Sequence, residues 1–269
     1  LDLRNEEIFT IDGEDAKDIK EVEGLIEFKN VSFKYPNAKE EVLSNINFTA
    51  EVGKTTAIIG STGSGKSTLV NLLPRLYDVT SGEIKLDGVD IKNIKLHDLR
   101  NNIGYIAQKG VLFSGTIKSN IKYGNSSISD KQMIFASNVA LADEFINSKE
   151  GGYNYKIAQG GTNVSGGQKQ RLSIARAIAK KSKVYIFDDS FSALDFKTDA
   201  KLRKNIKEKL GDVTTLIVAQ RISTIMHADK IVVLEDGKVV GIGTHKELMK
   251  KCKVYKEIAT SQLSKEELA

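Results

Sequence analysis

Long apolar runs are missing from this chain. No stretch of its 269 residues approaches the roughly 18 consecutive apolar residues that cross a membrane, and its opening does not read as a secretory signal. Cysteine is nearly absent: Cys252 stands alone, which excludes an internal disulfide framework and fits a reducing cytoplasm. The three histidines, His97, His227 and His245, fall at no metal-ligand spacing. Missing too is any Arg-rich tract with interleaved aromatics. The net charge of +5 and pI near 9.0 come from scattered lysines such as Lys180, Lys181 and Lys183. Nucleic acid is therefore not an expected partner, while a nucleotide or a membrane face suits the same charge. There is no internal repeat and no initiator methionine. Residues 1–24 are acidic and polar, are broken at Asp12-Gly13 and show no sustained period, so they read as a linker and suggest a piece of a longer polypeptide.

What is present alternates between two textures. Leu25–Tyr35 has the apolar–polar alternation of a strand, ended by Pro36-Asn37. Asn45–Val52 and Thr55–Ile59 read as further strands, Glu83–Ile91 as a strand pair turning at Asp87-Gly88, and Ile103–Gln108 as another short strand. From Gly110 to Lys181 the texture is helical. Ser129 with Gln132 predicts a capping box before Met133–Leu141, and Ser165 with Gln168 predicts another before a long helix through Ile178. Val184–Phe187 and Leu216–Ala219 are short apolar runs of the buried parallel type, joined by a helical crossover over Lys197–Lys209. Asp236-Gly237 predicts a hairpin between Ile231–Leu234 and Val239–Ile242, and Thr244 with Glu247 starts the C-terminal helices. The expected class is α/β, with an antiparallel β portion at the start and a helical insertion near 110–175.

Gly60–Ser67 reads GSTGSGKS, a full match to G-x-x-x-x-G-K-[ST], and it lies between a strand run and the apolar stretch Leu69–Leu76. Gly60, Gly63 and Gly65 let the backbone curl so that N–H groups around Ser61, Thr62 and Ser64 point at one anion. The following helix start adds its own unpaired N–H groups and positive dipole end, near Thr68. Lys66 supplies a point charge for the β- and γ-phosphates, and the Ser67 hydroxyl can ligate Mg²⁺. The expected ligand is a nucleoside triphosphate with Mg²⁺.

Val164–Gln168, VSGGQ, followed by Lys169-Gln170-Arg171, resembles the signature of ATP-binding-cassette (ABC) ATPases. Ser165 caps a helix there, while Gly166 and Gly167 strip its N-terminus of side chains at about 1 kcal/mol each, leaving bare N–H groups. The resemblance implies that Ser165, Gly166, Gly167 and Gln168 close on ATP held by an opposite subunit. It extends over residues 25–262. Val184–Asp188 resembles the Walker B strand, with Asp188 as the Mg²⁺-associated carboxylate. Ser192, Ala193, Leu194 and Asp195 resemble the D-loop that reaches across a dimer. Gln108 matches the Q-loop glutamine, which senses Mg²⁺ or the attacking water and touches a transmembrane partner. Tyr35 matches the aromatic that stacks on adenine. Val111–Gly124 and residues 155–168 resemble the corresponding segments of exporter-type half-transporters, although Gln159 stands where an acidic residue is usual.

That resemblance implies the ABC ATPase fold over 25–269: a RecA-like phosphate-loop core, an antiparallel β subdomain and a helical subdomain at about 110–175. It makes residues 1–24 the tail of an upstream membrane domain of about six spans. It implies ATP and Mg²⁺ as ligands, and a second half-transporter's nucleotide-binding domain and membrane coupling helices as partners. The place would be the cytoplasmic face of the cell membrane.

Two positions depart from the family pattern. The catalytic base after Walker B is normally Glu and is here Asp189; the switch histidine is here Gln220, in IVAQR. Asp retracts its carboxylate by roughly 1.5 Å, and Gln can donate an amide N–H but cannot become a cation or shuttle a proton. Together they resemble the half of heterodimeric multidrug-type exporters with a degenerate site, which binds ATP and cuts it slowly. Turnover through a water-bridged Asp189 remains the alternative at this site. For the chain as a whole the alternatives are a soluble ATP-gated clamp and the ATPase subunit of an importer. Cys252 reads as a helix residue without a catalytic role.

Overall fold

Runs rich in Val, Ile and Phe supply the strands of this computed structural model, which describes residues 10–263. The first third of the chain forms β1 (Ile26–Phe33), β2 (Leu43–Ala50), β3 (Thr55–Gly60), α1 (Lys66–Leu72), β4 (Ser81–Leu86), β5 (Val89–Asp90) and α2 (Leu96–Asn101). The middle forms β6 (Ile103–Ile106), β7 (Gly115–Thr116), α3 (Ile117–Ile121), α4 (Asp130–Val139), α5 (Asp143–Ser148), β8 (Lys156–Ile157) and α6 (Gly166–Ala179). The last part forms β9 (Val184–Asp188), α7 (Phe196–Lys209), β10 (Thr214–Val218), α8 (Ile222–Ile225), β11 (Lys230–Glu235), β12 (Lys238–Gly243), α9 (His245–Lys251) and α10 (Lys253–Gln262).

Two main sheets result. One is antiparallel, in the order β2-β1-β4-β5; the other runs β12-β11-β3-β10-β9-β6, parallel except for its β12 edge. Side chains alternate across a strand, so each parallel strand feeds two cores. Val184 and Ile186 face the antiparallel sheet and α1, where Phe28 stacks on Phe48 at 4.4 Å. Tyr185 and Phe187 face the opposite way, into the core built with α6, α7 and α10. Both Asp-Gly turns take left-handed dihedrals at their two residues, with φ of 51° and 80° at Asp87-Gly88 and 45° and 72° at Asp236-Gly237. These are the dihedrals that two-residue hairpins require.

Several sequence expectations need correction. Ser129 does accept from the Gln132 N–H, but the Gln132 side chain donates to the Ala179 carbonyl at 3.0 Å, so half of that capping box is spent on tying α4 to α6. The insertion near 110–175 is not purely helical, since β7 and β8 pair within it. Cys252 is not inside a helix; it is buried at the extended break between α9 and α10. Residues 10–24 of the expected linker, though without helix or strand, are strapped to the domain. Asp87 accepts from the N–H groups of Glu23, Gly24 and Leu25 at 2.7–3.0 Å, Asp12 accepts from the Leu96 N–H, and Lys17 bridges Ile94. Residues 1–9 and 264–269, the outer ends of the expected linker and domain, lie outside the described residues.

Candidate functional site

The phosphate loop begins where β3 ends. A Cβ at Gly60 would lie 2.1 Å from the Leu234 carbonyl of β11, so only glycine lets the chain leave the sheet there. Gly65 precedes α1 at φ 93°, and a Cβ on it would press to 2.7 Å on Leu43. Between these two glycines the loop folds around its own lysine. Lys66 is buried, and its ammonium donates to the Gly60 and Ser61 carbonyls at 2.8 and 2.6 Å, with the Ser64 hydroxyl at 3.5 Å. Burial lowers the Lys66 pKa, while the Asp189 and Asp188 carboxylates pull it back up.

A hollow of about 230 Å³ opens beside the loop, lined by Thr62, Gly63, Lys66, Ser67, Thr68, Gln108, Asp189 and Gln220 among others. Two buried carboxylates stand here: Asp188 ends β9, and Asp189, the next residue, lines the hollow. Asp188 accepts from the Ser67 hydroxyl at 2.8 Å and from the Tyr105 phenol at 3.0 Å. Burial, then the Asp188 charge, pushes the Tyr105 pKa well above its ordinary value, so the phenol stays protonated and can donate. Asp189 sits at φ 46°, and its Oδ2 accepts from Gln108 Nε2 at 2.8 Å and Gln220 Nε2 at 2.9 Å. Burial raises the Asp189 pKa as the largest effect. The Gln108 amide opposes it, the Asp188 charge adds to it, and Lys66 and Arg221 oppose it.

Ser67 and Asp188 place a hydroxyl and a carboxylate side by side, hard oxygen donors of the kind Mg²⁺ takes. Among the described residues no group of three His, Cys, Asp or Glu could hold a metal unaided. An ion here would complete its shell with phosphate and water oxygens, which fits Mg²⁺ and the curled loop above it. The Tyr35 hydroxyl lies 3.0 Å from Thr68 Oγ1, so the tyrosine stands beside the loop, with its ring edge-on to Phe33 and Tyr77 at 4.8 and 5.2 Å.

The signature lies apart from this hollow. Ser165 and Gln168 make a complete capping box at the head of α6, and Ser165 and Gly166 are exposed there. A Cβ on Gly167 would be 3.6 Å from the Ala193 carbonyl and 3.8 Å from Leu194, so the D-loop stretch lies against the signature. Ser192 donates to the Asp189 carbonyl at 2.7 Å, while Asp195 caps α7 by accepting from the Thr198 N–H and hydroxyl. Gln159 is exposed in a short 3₁₀ turn. Sequence reasoning missed Tyr105. It lies in the strand β6 that leads to Gln108, but nothing local marks a contact with a carboxylate 83 residues away.

The profile of the ABC transporter family matches residues 43–192. An uncharacterized ABC transporter ATP-binding protein of Mycobacterium tuberculosis is 46% identical over 244 residues, 90% of this chain and 42% of that protein. A Staphylococcus aureus protein, named provisionally a multidrug export ATP-binding/permease protein, is 43% identical over 250 residues, 93% of this chain and 43% of that one. The chain thus spans less than half the length of these curated relatives. A solved bacterial Atm1-family ABC exporter with ATP bound superposes with a TM-score of 0.91 at 33% identity, over 96% of this chain and 45% of that one. With its phosphate loop, its paired carboxylates and its glycine-bared signature all on the fold of that exporter, the chain belongs to the ABC transporter family and folds as an ABC ATPase domain.

Proposed function

We propose that this chain is the ATP-binding domain of one half of an exporter-type transporter, and that its own site holds MgATP firmly but hydrolyses it slowly. The observation that carries the reading is the Asp189–Gln220 pair. A carboxylate one methylene shorter than glutamate has both amides, from Gln108 and Gln220, on one oxygen, and neither amide can take up or release a proton. Bound MgATP supplies the phosphoryl group and the metal's charge. This chain's residues bind and orient it. On binding, Lys66 would exchange its loop carbonyls for phosphate oxygens, Ser67 and Asp188 would hold the ion, Tyr35 would pack against the base, and Gln220 would turn a neutral N–H to the terminal phosphate.

The remaining parts supply the coupling. The exposed signature at Ser165–Gln168, with the D-loop behind it, serves ATP on a second nucleotide-binding domain, whose own site performs the faster hydrolysis. A hollow of about 740 Å³ next to the Q-loop, lined by Tyr105, Lys109, Tyr123, Ser173 and Arg176 among others, receives a coupling helix of the membrane domain at the cytoplasmic face. The test is steady-state phosphate release by the chain with saturating MgATP. The reading expects ATP binding at micromolar-scale affinity with turnover far below the roughly 10 s⁻¹ of a typical enzyme; turnover near that value overturns the slow site.

A further inference from the structure

Ala219 and Ile222 bury their side chains in the core where the chain leaves β10, but Gln220 between them is exposed, so its carbonyl and the head of α8 must find partners outside the sheet. Ala219 still donates to the Ile58 carbonyl at 3.2 Å, but α8, which follows at once, has no side-chain cap of its own: its N-cap residue, Arg221, makes no capping bond. Both needs are met from α10. Gln262 Oε1 accepts from the Ile222 N–H at 2.8 Å, and Gln262 Nε2 donates to the Gln220 carbonyl at 2.8 Å. One primary amide thereby pairs with residues 220 and 222 as the edge of a further strand would. It also supplies the acceptor missing at the head of α8. The helix behind it is anchored. Tyr255 and Ala259 are fully buried, and the Tyr255 hydroxyl meets His245 Nδ1 at 2.7 Å.

We propose that Gln262 is a positioning residue for the switch glutamine, so that the end of α10 sets where Gln220 presents its amide to Asp189 and the terminal phosphate. The inference rests on the reading above only in taking Gln220 as the residue that faces that phosphate. The chemistry restricts what can replace it. Glutamate keeps the acceptor but turns a second acceptor on the Gln220 carbonyl, alanine removes both bonds, and asparagine falls short by one methylene, roughly 1.5 Å.

The experiment compares kcat and the KM for ATP of Gln262→Glu and Gln262→Ala with their parent, both in the natural chain and with Asp189→Glu and Gln220→His present. Thr260→Ala, on the exposed side of the same helix, is the control. Losing one or two hydrogen bonds of ordinary strength should lower kcat by roughly three- to tenfold, with KM within about twofold of the parent. The Ile222 amide, read by hydrogen exchange, should exchange about tenfold faster in Gln262→Ala. A kcat ratio of one in both backgrounds overturns the proposal. So does a loss shared equally by kcat, KM and thermal midpoint, or an Ile222 amide whose exchange does not change. A fast natural chain would refute the slow-site reading through the parent's absolute rate, whereas this proposal is judged by the variant-to-parent ratio.

Discussion

Restoring the residues usual in the family at both departures should raise the rate of hydrolysis at this chain's own site. In the natural chain the two amides at 2.8 and 2.9 Å keep the Asp189 carboxylate back between Gln108 and Gln220. Asp189→Glu advances the carboxylate by roughly 1.5 Å toward the phosphate end of the hollow. A reacting group displaced by about 1 Å commonly loses about 100-fold in rate, or roughly 2.7 kcal/mol of barrier, and the substitution should recover a gain of that order. Gln220→His then adds a group that can carry a proton or a charge near pH 7, so the double variant should exceed either single one. A cost accompanies the gain. Position 189 sits at φ 46°, which Asp tolerates better than Glu, so Asp189→Glu should lose about 1 kcal/mol of stability. The assay is phosphate release at saturating MgATP, with ATP affinity and ATP-dependent dimer formation measured on the same samples. A double variant that binds ATP normally and dimerises, yet hydrolyses no faster than the natural chain, refutes the assignment of these two positions.

Three further outcomes follow from the same geometry. Lys66→Ala removes the only ammonium lining the hollow among the described residues, together with its two short bonds to loop carbonyls; at roughly 1.5–3 kcal/mol per charge-assisted hydrogen bond, ATP affinity measured by calorimetry should fall at least about 100-fold. Burial raises the Asp189 pKa, so its stabilising contribution is complete only below the ordinary carboxylate pKa near 4 and disappears as pH rises through the folded value. Asp189→Asn should therefore raise the thermal midpoint at pH 7 and lose that advantage towards pH 3, a pattern that scanning calorimetry over that range would contradict by showing a lower midpoint at pH 7. Ile186→Ala empties a fully buried site in β9 between the sheets and should cost roughly 2–5 kcal/mol in denaturant unfolding, without altering ATP affinity per folded molecule.

What could be read from the sequence was what is decided locally. GSTGSGKS, the two Asp-Gly turns and the Ser165–Gln168 box all form from residues within a few positions of one another, and each stands where its pattern puts it. Gln132 shows the limit: the same spacing as Gln168 promised the same box, but a carbonyl 47 residues on took its side chain. Strand ends slipped for a similar reason. Ile103–Gln108 reads as one short strand, yet pairing with β9 stops at Ile106, which frees Gln108 to reach Asp189. Residues 10–24 look featureless in sequence because what holds them, Asp87 and Leu96 among others, lies tens of residues away. Tyr105 and Gln262 were hidden alike, one a strand tyrosine and the other a polar helix end, and tertiary pairing alone brings one to the Asp188 carboxylate and the other to the backbone of Gln220.

The most direct measurement concerns the nucleotide itself. The chain is assembled with a second nucleotide-binding domain, loaded with MgATP and trapped closed, and the nucleotide crosslinked to its own phosphate loop is identified as triphosphate or diphosphate after many turnovers of the assembly. Intact ATP on GSTGSGKS, with ADP accumulating at the partner's loop, is the predicted result. ADP at this chain's loop, formed as fast as at the partner's, would contradict the claim that Asp189 and Gln220 make this a site that holds rather than cuts.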